Sequence, residues 1–376
     1  MQIHGHCDER FAPVRDAFIE NFKEDLELGA SACVTLEGQP VVDLWAGDAD
    51  PQGHPWQEDT IVNVYSTTKT MASLCVLMLA DRGEVDFGAP VATYWPEFAQ
   101  KGKENVLVSH VMGHSTGVSG FDPTVSAEQL YDWEGIVTQL ASQAPWWEPG
   151  TASGYHSITQ GYLQGEIVRR VSGRSLGTFF REEVAEPLGA DFHIGMDPVH
   201  DSRVGELVPP VRSPEPPGPT TDSIAMRTLT SCNLDGTEPR TSAWRRAEIP
   251  AAGGIGNARS VGRVHSALAC HGSVDGVRLL SPEGVDVILE EQTSGPDHVF
   301  GMPMRFGMGF GLNSETLPIS PNPRSFFWGG WGGSLAIIDL DARLTISYVM
   351  NGMAADLLGD LRGTRIAGAS YLSLAN

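Results

Sequence analysis

Residues 62–82, VNVYSTTKTMASLCVLMLADR, constrain the fold more than any other stretch. From 71 to 80 a helix here is apolar on nearly every side, so it belongs inside a core and the rest of the chain must cover it. Ser66 and Lys69 open the helix three residues apart, which puts both side chains on one face with Cβ atoms about 5–6 Å apart. Lysine is scarce, at positions 23, 69, 101 and 103 only, yet one of the four enters the most apolar segment. A buried ammonium without partners is costly and escapes by losing its proton or gaining acceptors. Otherwise its stem packs at the helix start while the amine reaches water. Within the core, a hydroxyl and an amine so placed can exchange a proton.

The remaining pattern predicts an α+β architecture. Phe11, Val14, Phe18, Phe22 and Leu26 recur at spacings of three and four, an amphipathic helix over 8–28. Residues 31–36 and 41–47 flank Glu37-Gly38-Gln39-Pro40 as a β-hairpin. Between 83 and 250 strand signals are thin, helical stretches such as 127–142 and 158–172 alternate with turns, and the proline-rich 209–219 reads as a surface flap. A helix follows near 259–270. Two apolar runs joined by 339–343 make 325–350 an antiparallel pair, and a helix over 353–372 closes the chain. This order predicts an antiparallel sheet built from both chain ends and packed on the terminal helices. Residues 1–84 and 251–376 would form that sheet domain and 85–250 a mostly helical domain, with the site in the cleft between them.

Charge narrows the partners. Twenty-five basic against 47 acidic residues give −22, which repels phosphate backbones and argues against nucleic acid. The five cysteines, at 7, 33, 75, 232 and 270, lack CxxC spacing and read as reduced thiols. The opening MQIHGHCDER shows no leader pattern and the 71–80 run is too short to span a bilayer, so a cytoplasmic protein without membrane contact is expected. His4, His6 and Cys7 read as part of a frayed terminus, and neither metal nor organic cofactor is expected.

Two serines compete as nucleophile. Gly113-His114-Ser115-Thr116-Gly117 matches the nucleophile elbow of α/β-hydrolases, but Gly117, Gly120 and Pro123 forbid the helix that should follow, and a structural turn is the plainer reading. Ser66 has a candidate base in Lys69. Taking a lysine of pKa about 10.4 to neutrality at pH 7 costs roughly 4.6 kcal/mol, and ionising a tyrosine roughly 4 kcal/mol, so neither works unaided. Paired in a desolvated pocket they can share a proton, which makes a tyrosine near Lys69 the partner to seek.

Ser66-Thr67-Thr68-Lys69, Tyr155-His156-Ser157 and Trp328-Gly329-Gly330 resemble, in order and spacing, the three motifs of the serine β-lactamase and penicillin-binding-protein superfamily. Residues 110–117 and 161–176 extend the likeness over nearly the whole chain. More narrowly the chain is similar to the class VIII carboxylesterase branch, whose members resemble class C β-lactamases in fold. The resemblance implies a β-lactamase/transpeptidase-like fold with Ser66 as the acylated nucleophile, Lys69 as its activating neighbour and Tyr155 as general base and later acid. It also implies an oxyanion hole from the backbone N–H groups of Ser66 and Trp331. Tyr65, Ser157, Trp328, Gly329 and Gly330 would then meet substrate, the glycines by letting it approach closely. Tyr65, Trp146, Trp147, Trp328 and Trp331 are candidates for an apolar acyl pocket, and His156 for contact with Ser157, with substrate or with the core alone.

Two departures bear on substrate. The second motif commonly ends in Asn, and Ser157 offers one hydroxyl where an amide offers a separate donor and acceptor. The third usually begins with Lys or His, and neutral Trp328 cannot hold a carboxylate. Small neutral esters are therefore expected over penicillins or peptide C-termini. The alternatives are a β-lactamase, D-aminopeptidase or acyltransferase of the same superfamily, an α/β-hydrolase using Ser115, and a non-catalytic penicillin-recognition-like binding module.

Overall fold

The computed structural model describes residues 2–23, 27–210 and 223–375. Among these, nine strands form one antiparallel sheet in the order Ile3–Cys7, Gln39–Gly47, Gly29–Leu36, Leu344–Met350, Leu335–Asp339, Ser325–Gly329, Gly311–Leu312, Pro303–Phe306, Thr293–Pro296. The two chain ends meet where Gly29–Leu36 pairs with Leu344–Met350, Ala32 opposite Tyr348. Glu37 and Gly38 close the first hairpin with φ of 51° and 85°, the left-handed pair that a two-residue turn needs to match strand twist.

Neighbouring residues on a strand face opposite ways, and Leu344–Met350 uses both faces. Tyr348 meets Phe18 of the Ala12–Lys23 helix, which packs against the terminal Leu361–Ala375 helix. Ser347, on the other face, lies against Gly262 of the Ala258–Ala269 helix. Helices thus cover both faces of this strand. The Thr68–Asp81 helix is buried from Thr68 through Leu79 and packs against Thr159–Ser172 and Leu176–Phe180, as its all-round apolar surface requires.

Three expectations change. The 325–350 stretch holds three strands, because residues 330–334 turn the chain back: Gly330 N–H donates to Ser334 O (2.8 Å) and Gly333 N–H to Gly330 O (3.1 Å). The N-terminus is an edge strand, Ile3–Cys7 paired with Gln39–Gly47, in place of a frayed end. The last helix starts at Leu361, eight residues later than its pattern suggested. Most of the 209–219 flap lies outside the described residues.

Candidate active site

Ser66 sits in a single 3₁₀ turn, Tyr65–Thr67, that leads into the Thr68–Asp81 helix. Tyr65 takes φ of 42°, a left-handed conformation costing about 1–3 kcal/mol for a bulky residue. Hydrogen bonds on each side hold it. Val64 N–H donates to Gly254 O (2.9 Å), Ser334 Oγ to Val64 O (2.8 Å), and Thr68 Oγ to Tyr65 O while accepting from Gly254 N–H (2.9 Å). Thr67 Oγ1 joins Ser334 Oγ at 2.9 Å. The two threonines between Ser66 and Lys69 thereby clamp the turn to the 330–334 connection and the Gly254–Gly256 strand.

Ser66 Oγ accepts from the Tyr155 hydroxyl at 2.6 Å and from Lys69 Nζ at 3.2 Å. Lys69 also donates to Ser157 O (2.6 Å) and Ala251 O (3.1 Å), and its amine lies 4.9 Å from the centre of the Tyr155 ring. Burial without a carboxylate partner pushes the Lys69 amine well below the usual lysine range. Burial pushes the Tyr155 phenol up, as does the charge of Asp297, against the bond to Ser66 and the nearby Trp328 indole. Two titratable groups, an amine and a phenol, therefore converge on a single hydroxyl. Trp331, in the 330–334 turn, has a backbone N–H free of hydrogen bonds among the described residues. Gly330 is required there because a methyl would collide with Val64 O and crowd the Ser66 amide.

A cavity of about 230 Å³ opens beside Ser66. Tyr65, Tyr155, Ser157 and Trp331 line it together with Ile158, Met226, Thr228, Leu229, Thr230, Cys232, Asn233, Leu234, Ala252 and Leu357. None of these side chains carries a charge. Trp328, Gly329 and Gly330, expected against substrate, do not line it. Trp328 is buried behind the tyrosine, its ring 5.4 Å from Tyr155, 5.7 Å from His114 and 5.6 Å from Phe306. Gly329 abuts the backbone of Leu358 and Gly359, so these glycines admit the protein's own chain. Trp146 lies under Arg227 (4.0 Å to the ring centre) and Trp147 against His156 and His298, both away from the cavity wall.

His156 is an internal brace. Its Nδ1 bonds Gly154 O (2.6 Å) and its Nε2 Thr116 Oγ1 (2.6 Å), and burial lowers its pKa to about 3, so it stays neutral. Ser115 is buried in a turn, with Ser115 N–H on His110 O and Gly150 N–H on Ser115 O, both 2.8 Å. No histidine or carboxylate bonds its hydroxyl among the described residues, and it is absent from the cavity wall.

Sequence reasoning missed the 226–234 wall, whose alternation of Thr, Leu, Cys and Asn carries no periodic signal. It also missed Asp297, whose Oδ1 accepts from Tyr155 N–H at 3.2 Å across 142 positions. No helix among the described residues is long and apolar enough to cross a membrane.

The β-lactamase family model matches residues 17–369. Among curated proteins, the esterase/β-lactamase LipL of Mycobacterium tuberculosis is 33% identical over 95% of this chain and 85% of its own. Among solved structures, a family VIII carboxylesterase superposes with a TM-score of 0.93 at 42% identity, covering 99% of this chain and 100% of its own. A penicillin-binding-protein homologue from Caulobacter crescentus gives 0.93 at 38% identity over 99% and 100%. With its ordered Ser66, Lys69 and Tyr155, this chain belongs to the β-lactamase family.

Proposed function

We propose that this protein is a serine carboxylesterase that cleaves small neutral esters through an acyl-enzyme on Ser66. The observation that carries the reading is the convergence of Tyr155 and Lys69 on Ser66 Oγ at the mouth of an uncharged cavity. The names of the relatives, esterase and carboxylesterase, support the reaction class.

Ser66 attacks the ester carbonyl as its proton passes to the Lys69–Tyr155 pair. The backbone N–H groups of Ser66 and Trp331 receive the developing oxyanion, where fixed dipoles act without reorganising. The carbonyl–alkoxide bond breaks and the pair returns the proton to the leaving alcohol. Water then enters, the pair removes its proton, and hydrolysis of the Ser66 ester restores the serine hydroxyl. Burial lowers the Lys69 amine and raises the Tyr155 phenol, so the two hold and pass that proton as a pair.

The uncharged wall favours neutral acyl groups, since a carboxylate there would be desolvated without a partner. We read residues 1–84 and 251–376 as one domain and 85–250 as a second, Tyr155 and Ser157 facing Ser66, Lys69 and Trp331 across the cleft. Five unpaired cysteines suit a reducing cytosol, and no nucleic acid partner is proposed. The test compares Ser66→Ala with Ser115→Ala on p-nitrophenyl acetate and butyrate. Ser66→Ala should lose about 10⁴-fold or more in kcat, as removal of a nucleophile does, while Ser115→Ala keeps most activity. The reverse pattern would overturn the assignment. Nitrocefin, D-amino amides and added alcohols, run in parallel, separate ester hydrolysis from the β-lactamase, aminopeptidase and acyltransferase alternatives.

A further inference from the structure

The geometry points to Asp297 as a positioning residue that sets both the place of Tyr155 and the pH at which the Lys69–Tyr155 pair gives up a proton. Asp297 is 2% exposed, is absent from the cavity wall, and has no ion-pair partner among the described residues. A buried carboxylate without a cation is expensive, so its surroundings must explain it. Three N–H groups converge on its Oδ1, from Val299 (2.8 Å), Phe300 (2.9 Å) and Tyr155 (3.2 Å).

The first two bonds belong to the loop itself. Residues 297–302 link the Thr293–Pro296 and Pro303–Phe306 strands, and Asp297 N–H donates to Met302 O (3.0 Å) while Gly301 N–H returns to Asp297 O (2.9 Å). A turn so closed by its own backbone does not need the third bond. That bond reaches a separate segment, and two more contacts go the same way. His298 N–H donates to Ser153 O (2.9 Å), and the Phe300 ring stacks on the Tyr155 ring with centroids 4.8 Å apart and planes 22° apart. The loop thus holds the phenol through its backbone, its neighbour and its ring face, with Asp297 at the hinge of all three.

Charge is the second consequence. The groups facing the pair are Ser66 on the nucleophile helix, His114 with its ring 5.2 Å from Tyr155, the neutral brace His156, Trp328 on the sheet, and Asp297. Burial keeps the two histidines unprotonated, so Asp297 is the only charge of either sign among these neighbours. A negative charge stabilises the protonated form of a nearby phenol, and within the pair it is Tyr155 that feels Asp297. Its removal must therefore lower the pH at which the pair loses its first proton. The titration belongs to the pair, not to one residue.

Asp297→Asn separates the two effects, because its amide oxygen still accepts from the backbone while the charge is gone. The ascending limb of kcat/KM against pH should move to lower pH by roughly 0.5–1 unit. Asp297→Ala, which loses the acceptor as well, should also lose about 10–100-fold in kcat through misplacement of the phenol. Asp297→Ser, small and neutral with an accepting hydroxyl, repeats the charge test if the Asn variant does not fold. A limb that superposes on wild type in the neutral variants, or moves to higher pH, overturns the inference. This inference rests on the acid–base role proposed for Tyr155, which Tyr155→Phe tests alone. Near-normal turnover in that variant would sink the role, whereas its loss together with an unmoved Asp297→Asn profile would sink only the part given to Asp297.

Discussion

Lys69 and Lys103 are both buried, both surrounded by three oxygens and both close to an aromatic ring, at 4.9 Å from Tyr155 and 5.1 Å from Phe98. Their acceptors differ. Lys103 donates to the backbone carbonyls of Gln100 (2.9 Å), Ala141 (3.1 Å) and Gln143, none of which can take or give a proton. Burial lowers its pKa from 10.5 to about 8, with Lys101 adding to the shift and Glu104 opposing it, so it remains an ammonium at neutral pH and pins its loop to the end of the Trp133–Ser142 helix. Lys69 spends one of its three bonds on the Ser66 hydroxyl, which has a proton to exchange, and no carboxylate offsets its burial. Burial makes a lysine unusual. A titratable neighbour makes it reactive.

Substitution at the two positions should separate these roles. Lys69→Met should lower kcat for p-nitrophenyl butyrate by about 10²–10⁴-fold, as loss of an acid–base group does. Full activity in that variant would place Lys69 with Lys103 as a structural cation. Tyr155→Phe, which removes the titratable partner but not the ring, should fall in the same range, about 10²–10⁴-fold. Double substitution should cost little more than either single one, because groups that act as a unit are not additive.

The cavity beside Ser66 gives a test from the substrate side. Leu229→Trp should reduce kcat/KM for hexanoyl esters by about tenfold relative to acetyl esters, the scale on which apolar pockets discriminate methylenes. An equal fall for both esters would locate the acyl chain elsewhere.

Lys103→Met should leave turnover per folded molecule unchanged and lower stability by about 2–4 kcal/mol, because three carbonyls lose their donor. The sign with pH follows from the lowered pKa. Between about 8 and 10.5 the unfolded chain holds a proton that the folded one has shed, so stability relative to Lys103→Met should rise across that window and flatten below it. Urea unfolding at pH 7, 8, 9 and 10 measures both.

How much of this was legible in the sequence depended on how local the signal was. Ser66 and Lys69 announce themselves because helical spacing and an apolar run coincide within one segment, and the Gly29–Leu36 and Gln39–Gly47 hairpin because its turn chemistry is local. Ile3–Cys7 escaped because an exposed edge strand, IHGHC, has no alternation to read. The 330–334 turn was hidden inside an apolar run whose glycines suggested approach by substrate, and only the folded chain reveals Leu358, Gly359 and Val64 as the neighbours they accommodate. Trp328 pointed toward an uncharged site but by an indirect route, since it supports Tyr155 from behind while the uncharged wall comes from 226, 228–230, 232–234 and Leu357. Asp297 was beyond reach, for nothing around it in the chain indicates Tyr155.

In the proposed reaction Ser66, activated by Lys69 and Tyr155, carries the acyl group. Rapid acid quenching of the enzyme with excess p-nitrophenyl butyrate, followed by proteolysis and mass spectrometry, tests it most directly. One butyryl group is expected on the peptide containing Ser66, absent in Ser66→Ala and retained in Ser115→Ala. A butyryl group on the Ser115 peptide, or an unmodified Ser66 during steady turnover, would contradict it.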